Sequence, residues 1–259
     1  MLILDKPAGV LTQQAQRGDM SLNELMIGYL LDTGTITSQE LRLFKPSVCN
    51  RLDRNTSGLV LCGKSLPGSQ ALSELIRSRG VRKFYNTLCV GLMETPHSGV
   101  PIEIQGYLQK DSRTNRVIIR QKRYGEYIRT AYRPIKSYCI PLEFWERTQK
   151  EYVALSKLEV CFFTKLEVEL ITGKPHQIRA HLASISHPLV GDGKYGNAHI
   201  NQLFHQYFGL CWQLLHACRL EFPTLEGVLA PLSGRNLQSP TPEKYKLILE
   251  EMEPFSQKI

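Results

Sequence analysis

Asn50-Arg51-Leu52-Asp53-Arg54-Asn55-Thr56-Ser57-Gly58, running into Leu59-Val60-Leu61-Cys62, joins a polar loop to a short apolar run. Four such residues are too few for a helix and read as a buried strand. The loop before them sets one carboxylate between two arginines. Nearby positive charge favours the ionised form of Asp53. An ionised carboxylate can act as a nucleophile, and arginines can hold phosphate. The residues alone also allow a plainer reading, in which Asp53 ends a turn and pairs with a neighbouring arginine.

Outward from this loop the pattern alternates between a few helices and many strands. On the N-terminal side, Leu2-Ile3-Leu4 reads as a strand and Lys6-Pro7-Ala8-Gly9 as a turn. Ser21 and Glu24 stand at capping-box spacing, which predicts a helix start there. The stretch 35–50 reads as irregular. On the C-terminal side a second helix is expected over 67–79, with Leu72, Leu75 and Ile76 on one face and Gly80 as its stop.

Strand-like runs follow at Phe84–Val90, Ile102–Leu108, Val117–Arg120, Ile128–Tyr138 and Tyr152–Val160. Between Thr164 and Ile171, Leu166, Val168 and Leu170 alternate with Lys165, Glu167 and Glu169, the period of a half-buried strand. Pro175 suits the first turn of a helix reaching Ile185. A helix near 199–209, a strand over 213–222 and a helix near 242–253 complete the series. Consecutive strands that outnumber helices predict an α+β fold, a largely antiparallel mixed sheet flanked by helices.

Composition narrows the class of function. The chain has 259 residues, 42% hydrophobic and 22% charged, as expected of one globular domain spanning 1–259. No apolar run approaches the roughly 18 residues of a membrane span, and no secretory signal pattern opens the chain. The seven cysteines are scattered without a Cys-x-x-Cys pair, which argues against a disulfide framework or zinc site and for a reducing, cytoplasmic setting. No dinucleotide-binding glycine fingerprint or phosphate loop occurs, which is consistent with a reaction that needs no redox change or group donor, and no cofactor is expected. His176, His181 and His187 lack the i, i+4 spacing of a helical zinc pair, so no metal is expected either.

The net charge of +8 favours a polyanionic partner. Its distribution says more. From 110 to 136 lie Lys110, Arg113, Arg116, Arg120, Lys122, Arg123, Arg129, Arg133 and Lys136, against only Asp111 and Glu126. A charge run is ordinarily a solvated face. This one is single-signed and interleaved with Tyr124, Tyr127 and Tyr132, the pattern of phosphate contact combined with base stacking.

The Asp53 loop resembles the catalytic motif of the RluA-type RNA pseudouridine synthases, approximately His-Arg-Leu-Asp-x-x-Thr-Ser-Gly-Leu. Asn50 takes the place of the histidine. Further segments are similar to the family's in the same order. They are Lys6-Pro7-Ala8-Gly9, Lys83-Phe84-Tyr85, Gly173-Lys174-Pro175-His176-Gln177-Ile178-Arg179, Gly191-Asp192 with Tyr195-Gly196, and Leu215-His216-Ala217. Thr87 and Cys89 replace the usual alanine and valine, and Pro175 a common threonine.

The resemblance spans roughly the whole chain and implies the pseudouridine synthase fold, with isomerisation of uridine to pseudouridine in structured rRNA or tRNA. It implies that Asp53 is the catalytic carboxylate. Tyr85 would stack on the uracil and relay a proton, and Arg179 would pair with Asp53. Ile178 would wall the base pocket, with His176 and Gln177 beside it as substrate-binding residues. The target base must be flipped from its stack. Arg51 is the candidate to fill the vacated place and Arg54 to contact backbone, while Arg113, Arg116, Arg120, Lys122 and Arg123 are candidates for the RNA backbone.

Because the motifs begin near residue 5, no small RNA-binding S4 module is expected ahead of them. RNA recognition then falls to the catalytic domain or to a partner, and a monomer suffices. Two rivals differ in class. An idle RNA binder on the same scaffold would lack Asp53, Tyr85 or Arg179, and a glycoside or nucleoside hydrolase needs a second acid that Asp53 does not have nearby.

Overall fold

The computed structural model describes residues 1–96, 99–111, 113–114, 116–120, 124–146 and 160–257. Its elements follow the chain as β1 (Leu2–Lys6), α1 (Leu22–Asp32), α2 (Ser38–Leu43), β2 (Ser47–Val48), β3 (Ser57–Gly63), α3 (Leu66–Arg77) and β4 (Arg82–Val90). Next come β5 (Ile102–Asp111), β6 (Arg116–Arg120), β7 (Glu126–Pro141), α4 (Leu142–Glu146) and β8 (Val160–Leu170). The chain ends with α5 (Gln177–Ser184), α6 (Ala198–Phe208), β9 (Leu215–Glu221), β10 (Asn236–Gln238), α7 (Glu243–Met252) and β11 (Ser256–Gln257). This is the α+β class, and every strand pairing with a described register is antiparallel. Two compact units make up the chain, Met1–Lys83 with Ala217–Pro240, and Phe84–His216 with Thr241–Ile259.

In the first unit β3 lies between β1 and β9, with β2 also on β3 and β10 on β9. All seven residues of β3 are buried, as the short apolar run predicts. The Ser65 hydroxyl accepts the Gly68 N–H at the start of α3, and Pro67 occupies its first turn, where no N–H partner is needed. Leu72 of α3 is fully buried among Leu59, Leu61 and Phe222, worth about 1.5–3 kcal/mol relative to exposure. Gly58 has φ +112°, and a Cβ there would stand 2.3 Å from the Ala217 carbonyl oxygen. Only glycine fits that approach.

Two local expectations need correction in this unit. The Ser21 hydroxyl turns to the Glu24 carboxylate and makes no cap to the backbone, although α1 does start at Leu22. The reciprocal capping box is made instead by Thr37 and Glu40, and it opens α2 inside the stretch read as irregular. Six residues without a buried apolar face leave no periodicity to detect.

The second unit orders its strands β4-β8-β7-β5-β6, with β11 on β7. The sixteen-residue β7 keeps pairing with β8 through a register shift between Pro134 and Lys136, a position that tolerates the missing proline N–H. One core holds Phe163, Trp145, Phe204 and Ile248, with the short α4 supplying Phe144 and Trp145. A smaller cluster of Leu108, Val117, Ile128 and Ala180 seats α5 on the other strands. The strand expected over Tyr152–Val160 lies outside the described residues except at Val160, where β8 starts.

Candidate active site and nucleic-acid interface

In the first unit, the two neighbours of Asp53 are tied to the opening segment of the chain. Thr12 Oγ1 donates to the Leu52 carbonyl at 2.7 Å and accepts the Leu52 N–H at 3.2 Å. On the other side the Arg54 carbonyl accepts from Lys6 Nζ at 2.9 Å and from the Gly9 N–H at 2.9 Å. Arg54 Nε returns a bond to the Gly9 carbonyl at 3.0 Å, and the Thr56 N–H closes the turn onto the Asp53 carbonyl. Asp53, half-buried, is thus presented from a loop whose backbone is fixed on both flanks.

The clamp depends on an uncommon group, a lysine with no exposed surface. Lys6 Nζ also donates to the carbonyls of Pro7 and Val10 at 2.9 and 2.8 Å, filling its three donor positions. Burial lowers its pKa to about 8, against the opposing pull of Asp53. Thr12 carries no sequence signal, since its partner lies forty positions away. Asn50, standing where the family has histidine, accepts the Leu61 N–H at 2.7 Å and approaches the Leu59 carbonyl at 3.5 Å. It anchors the loop to β3. Arg51 and Arg54 are exposed.

In the second unit, Tyr85 of β4 sits opposite Val168 of β8, which sits opposite Tyr132 of β7. Both tyrosines are buried. By strand alternation they share a face with Ile128 and Thr130, the face on which α5 packs. Tyr132, read as an exposed stacking residue, points into this core instead, and burial raises its pKa.

His176 precedes α5 in the left-handed conformation, φ 55°, which is rare for a residue with a Cβ and marks an over-determined turn. Gln177 is buried and fixes that turn. Its amide oxygen accepts from Thr172 Oγ1 and the Lys174 N–H, and its nitrogen donates to the Arg129 carbonyl and Thr130 Oγ1. Ile178 is 4% exposed. Arg179, also buried, makes a bidentate pair with Asp192, Nε to Oδ2 at 2.7 Å and Nη2 to Oδ1 at 2.8 Å.

Asp192 further accepts the N–H groups of Lys194 and Tyr195 at 2.8 and 3.1 Å. Burial pushes its pKa up, but the Arg179 hydrogen bonds and charge with those N–H groups outweigh it and hold the carboxyl below its ordinary value. Tyr195 completes the network. The Arg179 guanidinium lies 5.4 Å from its ring centroid, and its hydroxyl bonds His176 Nδ1 at 3.0 Å and the Val117 N–H at 2.8 Å. Asp192 and Tyr195 carried no assigned role in the sequence; their significance comes from converging on Arg179 and His176. The expected Arg179–Asp53 pair joins residues of different units, while within its own unit Arg179 holds Asp192.

The three histidines are engaged separately: His176 with Tyr195, His181 with Thr130 Oγ1, and His187 with the Val90 carbonyl. Burial lowers the pKa of His181. All seven cysteines are free thiols, and burial raises that of Cys62 to about 12.

The basic segment divides in two. Arg129, Arg133 and Lys136 pair with Glu103, Glu167 and Glu253. Lys110, Arg113, Arg116 and Arg120 are exposed and make no ion pair among the described residues. Lys122 and Arg123 lie outside the described residues. No helix of the described residues is long and apolar enough to cross a membrane.

The chain is 28% identical over 254 residues to an uncharacterised RNA pseudouridine synthase of Chloroflexus aurantiacus, covering 96% of this chain and 66% of that protein. To the ribosomal large subunit pseudouridine synthase D of Nitrosomonas europaea it is 27% identical over 259 residues, covering 96% and 62%. It therefore spans a little under two-thirds of the length of both relatives. The solved structure of human RNA pseudouridylate synthase domain containing 4 superposes with a TM-score of 0.65 at 17% identity, over 99% of this chain and 90% of that one, a likeness of fold. The family model described as RNA pseudouridylate synthase matches residues 1–184, a span that contains Asp53, Tyr85 and Arg179, and the chain belongs to that family.

Proposed function

We propose that this chain isomerises uridine to pseudouridine in structured RNA, rRNA or tRNA, with Asp53 as the catalytic carboxylate and both units serving one catalytic domain. The observation that carries the reading is the two-sided backbone clamp on the Asp53 loop. A carboxylate that attacks or stabilises one reacting carbon must be held to a fraction of an ångström, and fixing both neighbours supplies that order in advance.

The reaction breaks the N1–C1′ bond, turns the uracil and joins C5 to C1′. The C5 proton is lost and N1 gains one, so no redox partner or group donor is needed. Asp53 attacks the uridine or stabilises charge at C1′. Tyr85 stacks on the uracil and relays the proton, Ile178 walls the base, and Arg179 keeps the carboxylate charged. His176 and Gln177 shape the turn that delivers Ile178 and Arg179. Arg51 fills the place of the flipped base, Arg54 contacts the adjoining backbone, and Arg113, Arg116 and Arg120 hold phosphates. Free thiols throughout suit a cytoplasmic setting.

The test is carbodiimide mapping of pseudouridine in rRNA and tRNA from the source cell with and without the gene. Loss of signal at discrete uridines, restored by wild type and not by Asp53→Asn, is expected. Persistence of every site, or release of free uracil by the purified protein, overturns the proposal.

A further inference from the structure

Strands β5, β6 and β7 have one face seated under α5, while on the opposite face Gln105, Gln109, Ile118, Arg120 and Tyr127 are exposed. The covered face carries Leu108, Val117 and Ile128. On the opposite face, the register sets Arg120 of β6, Tyr107 of β5 and Tyr127 of β7 in one rung. The tyrosine rings are 5.5 Å apart with an interplanar angle of 51°. Ile118, 46% exposed, lies beside them in the next rung of β6, opposite Gln109.

Polar neighbours hold this rung in place. The Tyr127 hydroxyl donates to Gln105 Oε1 at 2.5 Å, and Arg120 Nε donates to Gln109 Oε1 at 3.0 Å. Glu103, an acidic group on the same face, is neutralised by a bidentate pair with Arg129. The face thus presents two ordered aromatic rings and an arginine without a carboxylate partner among the described residues.

Arginines on β6 would by themselves be explained as guards of a sheet edge, since β6 ends the strand order. A guard does not account for Tyr107 and Tyr127, which stand on the inner strands. Nor does core packing, which uses the other face. Paired aromatic rings beside guanidinium on an open sheet fit bases that have left their stack, because every base has a π-face and its phosphate is anionic. A duplex keeps its bases stacked and offers the rings nothing.

We infer that the Tyr107–Tyr127–Arg120 face is a docking surface for unpaired nucleotides of the RNA, separate from the Asp53 loop. This rests on the reading of the chain as an enzyme acting on RNA. It places the recognition element next to a single-stranded loop or bulge in the substrate, with bases stacked on the tyrosines and phosphate held by Arg120.

The test uses the full chain and two labelled probes, a short oligouridylate and an RNA duplex of equal length, titrated by fluorescence anisotropy. The wild type is expected to prefer the oligouridylate. Tyr107→Leu with Tyr127→Leu should weaken that probe about tenfold or more and leave duplex binding unchanged. Tyr107→Phe with Tyr127→Phe keeps the rings and should retain the affinity, and thermal melting of each variant checks the fold. Arg120→Ala should reduce the salt dependence of oligouridylate binding by about one counterion.

Equal affinity of the leucine variant for the oligouridylate, or equal loss in the phenylalanine variant, overturns the stacking surface. The two readings fail separately. A wild type that makes no pseudouridine but loses oligouridylate binding in the leucine variant overturns the function and supports the surface. A wild type that makes pseudouridine while the leucine variant binds normally overturns the surface alone.

Discussion

Replacing Asp192 by asparagine isolates the buried ion pair that holds Arg179. The side chains of Arg179 and Asp192 are 7% and 0% exposed, so neither charge can turn to water when its partner is removed. The carboxylate accepts two bonds from the guanidinium and two from the N–H groups of Lys194 and Tyr195. An asparagine oxygen in the Oδ1 position can keep some of these. Its NH2 then meets the Arg179 Nε–H, donor against donor, and the guanidinium loses the Asp192 charge buried against it. Breaking one side of a buried pair costs about 3–5 kcal/mol, a large share of the roughly 5–15 kcal/mol that holds a domain together.

Urea unfolding followed by circular dichroism should show that loss near neutral pH. The pH response has a definite sign. The folded-state pKa of Asp192 is depressed, so its contribution is present above the ordinary carboxylate value and is lost as pH falls through the folded value. The gap between wild type and Asp192→Asn should therefore close in acid. Replacing both partners with apolar residues, Arg179→Met with Asp192→Leu, should recover part of the stability. A loss below about 1 kcal/mol for Asp192→Asn at neutral pH would refute the claim that this pair is buried and mutually dependent.

Lys6→Met tests the buried amine. Because its folded-state pKa is about 8 against an ordinary 10.5, wild-type stability should rise with pH across that window, and the variant should lack the rise in parallel unfolding titrations. Thr12→Val leaves the Leu52 N–H and carbonyl without their hydroxyl partner, so about 1–3 kcal/mol should be lost, with kcat on RNA falling more than KM changes. Gly58→Ala should cost more than about 3 kcal/mol by strain and overpacking against Ala217, measured by thermal unfolding. Gly34→Ala, also at positive φ but with nothing within 4 Å, should cost only about 1–2 kcal/mol.

Local patterns were enough for much of this molecule. The apolar run after Gly58, the alternation from Leu166 to Val168 and the helical periodicity around Leu72 each report a period that burial imposes on neighbouring residues, and β3, β8 and α3 follow. The same holds for the residue types in the Asp53 loop and the α5 turn, whose spacing is local and whose family resemblance is therefore readable. Short or solvated elements were not legible, because α2 buries no residue and leaves no periodic trace.

Tertiary structure alone decided which distant groups meet. Nothing near Lys6 announces that its amine is fully buried beneath the Arg54 carbonyl, or that Thr12 serves Leu52. Tyr132 and Tyr127 look alike in a basic tyrosine-rich run, yet strand parity sends one into the core and the other beside Tyr107. Likewise the sequence lists nine cations in one segment, but only folding brings Glu103, Glu167 and Glu253 to three of them and leaves Arg116 and Arg120 exposed. Period and residue type are properties of adjacent positions, whereas hydrogen bonds, ion pairs and burial depend on contacts between segments that the chain itself keeps far apart.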